Sequence, residues 1–107
     1  MAMTPSEFEK LADAMMERIA RLVDESGAEC DCEPKGSGVL ELTFANRSRI
    51  VVNRHSAAQE IWVAAKSGGF HFRFDGSVWT DTRDRRELLA VLSELMTQQS
   101  GGTVALR

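Results

Sequence analysis

The middle of this chain is cut into short pieces by clusters of turn-forming residues. They are Pro34-Lys35-Gly36-Ser37-Gly38, Asn46-Arg47-Ser48, Lys66-Ser67-Gly68-Gly69 and Asp75-Gly76. Glycine and asparagine accept left-handed backbone and proline lacks an N–H, so each cluster interrupts regular structure. Between and beside them lie Glu29–Glu33, Val39–Phe44, Arg49–Arg54, Ile61–Ala65, Phe70–Phe74 and a brief Val78–Thr80. These segments are strand-length and too short for stable helices. Leu40, Leu42 and Phe44 alternate onto one face, while Trp62 points away from Ile61 and Val63. Short links between strands favour antiparallel neighbours.

Helical patterns flank the strands. Thr4-Pro5-Ser6-Glu7 reads as a helix start, with Thr4 as cap, Pro5 in the first turn and Glu7 closing a capping box. Phe8, Leu11, Ala12, Met15, Ile19, Leu22 and Val23 recur at helical spacing, and Gly27 is the expected stop. The second helix spans roughly Asp84–Gln99, with Leu88, Val91, Leu92 and Leu95 as its stripe and Gly101-Gly102 ending it. Each helix has one apolar face. The predicted fold is therefore an α+β two-layer sandwich, with both helices on one face of a five- to six-stranded antiparallel sheet. The opposite sheet face is left to solvent or a partner. At 107 residues, one domain over residues 1–107 is expected.

Composition is that of an ordinary globular chain, with 43% hydrophobic and 27% charged residues. No apolar run approaches the ~20 residues that span a bilayer, and residues 1–10 lack the pattern of a signal peptide. A cytoplasmic protein with no membrane partner is expected. Cys30 and Cys32 share a strand face and lack nearby Cys or His co-ligands, so they read as small buried hydrophobes. The net charge of −3 conceals an asymmetry: residues 1–33 carry nine carboxylates against Lys10, Arg18 and Arg21. An end this acidic disfavours nucleic acid and favours cations or basic proteins.

The acids are clustered. At ~100° per residue, Glu9, Asp13, Glu17 and Asp24 fall on one flank of the first helix. Glu9/Asp13 and Asp13/Glu17 are like-charge pairs one turn apart, each unfavourable by roughly 0.2–0.5 kcal/mol. Glu29, Asp31 and Glu33 share a strand face by the two-residue period. Carboxylates are hard ligands suited to Fe, Mn, Mg or Ca, whereas selective Zn or Cu sites call for Cys or His. Exposed and uncaged, they should bind metal weakly, and they could equally dock an arginine-rich surface. No Ser/His/Asp order, Gly-rich phosphate loop or Glu-x-x-His motif is present, so no enzyme activity is expected.

The centre of the chain carries a recognisable pattern. Ile50-Val51-Val52-Asn53-Arg54, Glu60-Ile61-Trp62-Val63-Ala64-Ala65 and Ser67-Gly68-Gly69-Phe70-His71-Phe72 resemble the sheet signature of the frataxin family. Ser6-Glu7-Phe8, Leu11-Ala12-Asp13 and Thr97-Gln98-Gln99-Ser100-Gly101 are similar to its bacterial branch. The resemblance implies a protein that binds ferrous and ferric iron weakly. It also implies one that regulates iron–sulfur cluster assembly by docking the cysteine desulfurase and its scaffold complex, with iron donation as a further role. Carried over by position, the metal ridge is Asp13, Asp24, Glu25, Glu29, Asp31 and Glu33. The partner-binding residues are Trp62 and Asn53, together with Glu29, Asp31 and Glu33. The chain departs from the family at Ala20 and Arg21, where relatives often carry acids, and in a shorter Ser26-Gly27 segment; both lower the expected iron capacity. Glu60 stands in place of a common Gln and Ala57 in place of a common Pro. A monomer is expected, with iron-dependent oligomerisation as the alternative state. The alternative function is an acidic docking module without physiological iron binding. Trp79 is expected in the core, Met15 and Met16 in helix packing, and His55 and His71 at the surface.

Overall fold

A computed structural model describes residues 3–106. Helix α1 (Pro5–Glu25) is followed by β1 (Cys30–Pro34), β2 (Val39–Phe44), β3 (Arg49–His55), β4 (Glu60–Ala65), β5 (Gly68–Phe74), β6 (Trp79–Asp81) and helix α2 (Leu88–Ser100). The six strands form one open sheet in sequence order, every neighbouring pair antiparallel.

Helix α1 starts as the capping residues require. The Glu7 N–H donates to Thr4 Oγ1 at 3.1 Å, and the Thr4 N–H donates to Glu7 Oε1 at 2.9 Å. Gly27, with φ +74°, turns the chain out of the helix into β1. Helix α2 begins four residues later than the apolar pattern suggested. Its cap is Glu87, accepting from the Leu89 N–H at 2.7 Å and the Ala90 N–H at 3.2 Å. Residues 82–87 form a loop instead, in which the Arg83 N–H donates to Oδ1 of Asp81, the last residue of β6, at 2.7 Å and Arg85 takes a positive φ of 56°.

Both helices bury their stripes on one face of the sheet. Phe8, Ile19, Leu88, Leu92 and Met96 pack with Leu42, Ile50, Val52, Ile61, Val63 and Phe72. Trp79 is in this core, 6.1 Å from Phe8 in an edge-on arrangement. Cys30 and Cys32 lean on its margin and are half-buried rather than fully enclosed, because β1 is an edge strand. Beyond Gly101 the chain doubles back along α2, and Val104 and Leu106 are buried. Their N–H groups donate to Thr97 Oγ1 and Ser93 Oγ, each at 2.9 Å. This returning tail has no counterpart in the helical and strand patterns of the sequence.

Candidate functional site

The acidic edge is assembled by the turn between α1 and β1. Ser26 Oγ donates to the Val23 carbonyl at 2.7 Å and accepts from the Ala28 N–H at 3.2 Å. This turns the chain from the helix end that carries Asp24 and Glu25 to Glu29, just before β1, all three exposed. No basic residue occupies the last turn of α1, so Asp24 and Glu25 face the negative end of the helix dipole unrelieved. On β1, Cys30 and Cys32 turn to the core side, and Asp31 and Glu33 therefore project from the outer sheet face. Glu33 pairs in register with Glu41 on β2, placing two carboxylates on neighbouring strands where like charges repel. Lys35 Nζ lies 3.2 Å from Glu33 Oε2, an exposed pair of little energetic weight. The sequence reading missed Glu41, although its position between Leu40 and Leu42 already marked it as outward-facing.

Asp13 belongs to a different neighbourhood. Eleven residues before Asp24, it sits about 16 Å away along the helix at ~1.5 Å per residue. Its carboxylate pairs with the largely buried Arg54 guanidinium, which also donates to Ser37 Oγ at 3.2 Å. Among the described residues, no three Asp, Glu, His or Cys side chains converge as a preformed metal cage. The donors that are present are hard and exposed, fitting weak, solvated binding of a cation such as iron. The thiols are poor competitors for it. Burial, reinforced by the neighbouring Cys32 and Asp31, pushes the Cys30 pKa up, and burial with Asp24 does the same for Cys32.

The second constellation lies on the outer sheet face. Trp62 projects from it as its parity requires, opposite Asn53 on β3 and His71 on β5. It is half-buried because two imidazoles cover its ring. His55 stacks on one side at 3.8 Å and 10°, and His71 on the other at 4.4 Å and 9°. The indole Nε1–H donates to Glu60 Oε1 at 2.7 Å, and Arg73 Nε donates to Glu60 Oε2 at 2.7 Å. Burial of Glu60 would raise its pKa. The hydrogen bonds from Trp62 and Arg73, with the charges of Arg73 and His71, outweigh that and hold it below the ordinary carboxylate value. The exposed part of Trp62 is thus the edge of a three-ring stack, not a free ring face. His55, Glu60, His71 and Arg73 were not assigned to this site from sequence. All four have outward parity, but only the strand register shows that they meet.

The family model for a frataxin-like domain matches residues 1–102. The chain belongs to the frataxin family. The chain is 52% identical over 105 residues to the iron-sulfur cluster assembly protein CyaY of Dechloromonas aromatica (strain RCB), covering 98% of this chain and 100% of that one. A solved frataxin from Psychromonas ingrahamii superposes with a TM-score of 0.88 at 34% identity, covering 96% of this chain and 97% of its own. A trimeric frataxin from Saccharomyces cerevisiae, complexed with ferrous, has a TM-score of 0.65 at 21% identity, covering 94% of this chain and 89% of that one. At that identity the yeast likeness is one of fold. The expected two-layer frataxin sandwich is therefore the observed one. In this frataxin the strand-borne acids and the Trp62 stack share the outer sheet face, with Asp31, Glu33 and Glu41 near one margin and Trp62 towards the centre.

Proposed function

We propose that this chain acts as a single frataxin-like unit in the cytoplasm that regulates iron–sulfur cluster assembly without catalysing a reaction. It binds the cysteine desulfurase and scaffold complex and holds ferrous or ferric iron weakly. The observation that carries this reading is the acidic edge: Asp24, Glu25, Glu29, Asp31 and Glu33 follow one another from the end of α1 through the turn and along β1, all exposed, with Lys35 as the only cation paired to them among the described residues. Such an edge attracts cations and basic protein surfaces alike. The close relative from Dechloromonas, covered along its whole length, is named for iron–sulfur cluster assembly, which supports the pathway.

The metal ligands are Asp24, Glu25, Glu29, Asp31 and Glu33. Asp13, already bound to Arg54, adds to the field along the helix as an outlying member of the ridge. Partner docking uses Glu29, Asp31 and Glu33 electrostatically, with Trp62 and Asn53 as contacts on the sheet face. The protein is monomeric, and iron bridging carboxylates of neighbouring copies would drive any oligomer. A second reading, docking without physiological iron, is favoured by one observation: among the described residues, no three ligand-type side chains converge.

Desulfurase binding measured with iron rigorously removed, and again with ferrous iron added, separates the two. Iron-dependent tightening supports iron binding as part of the function. Identical binding in both conditions favours the docking-only module. Absence of binding in both would overturn the docking role.

A further inference from the structure

The sheet begins at β1, and no strand among the described residues pairs with its outer side. The hydrogen-bond phase shows which backbone groups that edge presents. The Arg54 N–H donates to the Gly38 carbonyl at 2.8 Å and the Phe44 N–H to the Ser48 carbonyl at 2.9 Å. Even-numbered residues of β2 therefore bond to β3, and odd-numbered ones turn to β1. The Lys35 N–H, which donates to the Val39 carbonyl at 2.9 Å, keeps the same phase. Asp31 and Glu33 thus spend their backbone groups on Thr43 and Glu41, and those of Cys30, Cys32 and Pro34 point away from the sheet. The Cys30 N–H is taken by the Ala28 carbonyl at 2.9 Å, and proline has no N–H. The edge is left with one donor, the Cys32 N–H, set among the carbonyls of Cys30, Cys32 and Pro34.

We propose that β1 docks its partner by strand addition: an extended segment of alternating apolar and basic side chains pairs with the outward N–H and C=O of Cys32. This deepens the reading of the acidic edge as a docking surface, and rests on it.

The two faces of β1 define the segment. Cys30 and Cys32 lean on the core margin and are only half-buried, so apolar side chains of an added strand would complete that margin. Asp31 and Glu33 are exposed on the other face, where the added strand's alternate positions would carry lysine or arginine. A second copy of β1 does not fit. Paired antiparallel about Cys32, it would set Asp31 of each copy against Glu33 of the other, and like charges directly opposite repel. The far edge is closed, because β6 has three residues and its outer side is bridged by Thr80 and Glu87. Pro34 ends the available ladder and keeps it short, which suits reversible docking.

The test uses the intact chain, freed of iron, with the cysteine desulfurase–scaffold complex as the probe. Amide hydrogen exchange is run with and without the complex, quenched, and read by NMR on the released chain. The Cys32 amide should exchange fast in the free chain and slow by at least about ten-fold when bound. The Asp31 and Glu33 amides, already bonded to β2, should change less. Binding that leaves the Cys32 amide fast overturns the proposal. Calorimetric affinities of Cys32→Pro and Cys32→Val give a second measure, since both lack the thiol and only proline lacks the N–H. Cys32→Pro should bind at least about five-fold more weakly than Cys32→Val. Equal binding by the two folded variants overturns the proposal, and if Cys32→Pro fails to fold, the exchange result decides alone. Failure of the wild type to bind the complex at all overturns the docking reading, and strand addition with it.

Discussion

Trp62 donates its indole N–H to a carboxylate oxygen of Glu60, two residues earlier on the same strand and the same face, at 2.7 Å. A buried acid on the outer side of a sheet would ordinarily be costly. Here both of its oxygens are occupied, the second by Arg73, and the pair holds the aromatic stack in one orientation.

Glu60→Gln should therefore weaken the fold by about 1–2 kcal/mol at pH 7, since charge-assisted hydrogen bonds become neutral ones. The sign with pH follows from the lowered Glu60 pKa. The ionised form stabilises the fold above the ordinary value of 4.5, and that contribution fades as pH falls through the lower folded value. Urea unfolding of both proteins at pH 7 and pH 3 checks this: the gap between them should shrink in acid. An undiminished gap would show that Glu60 acts through packing alone.

Trp62→Ala should cost about 1 kcal/mol or less in stability, because the ring is half-exposed and leaves no core cavity. It should still reduce binding to the assembly complex. Phe8→Ala, by contrast, empties a site with 0% exposure and should cost about 3–5 kcal/mol. Thermal melts of the two variants side by side make the comparison. A Trp62→Ala loss as large as that of Phe8→Ala would mean the stack is structural.

Reversing Glu29, Asp31 and Glu33 to Lys should weaken desulfurase association by at least about ten-fold, since attraction becomes repulsion at each position. Wild-type affinity should also fall as salt rises from about 50 to about 500 mM, as exposed charges are screened. The triple variant should remain folded, because the repulsion between Glu33 and its register partner Glu41 becomes attraction. Calorimetric binding with a circular-dichroism melt on the same samples measures both. Unchanged affinity without salt dependence would confine the edge to metal binding or solubility.

Ferrous iron should broaden the NMR signals of residues 24–33 most strongly, with a dissociation constant in the micromolar range or weaker, since the donors are solvated and uncaged. Asp13 should respond less than Asp24 in the wild type, because Arg54 already neutralises it. Arg54→Gln should raise its response. Largest effects at His55 or His71 would place the site on the sheet face instead.

Some of this protein is decided within a few residues of chain. The Thr4–Glu7 cap, the stripe from Phe8 to Val23, the alternation of Leu40, Leu42 and Phe44, and the outward aim of Trp62 all follow from periods and caps that any short segment expresses. The acidity of the first 33 residues belongs to the same class, because charge needs no partner to be read. The second helix was read less accurately. Its apolar spacing was plain, but its start depended on Glu87 capping Leu89 and Ala90 while Asp81 organised the loop before it. What the tertiary structure alone decided is which residues meet. Residues 41 positions apart pair as Asp13 and Arg54. Glu41 joins Glu33, and His55 and His71 close on Trp62, because the register brings five strands into one alignment. Parity assigns a side chain to a face, but only hydrogen-bonded register assigns it a neighbour, and a slip of one residue would send every one of these groups to the other side of the sheet. The tail that buries Val104 and Leu106 was likewise invisible in sequence, since a short irregular segment has no period and acquires its place only from the groove it fills.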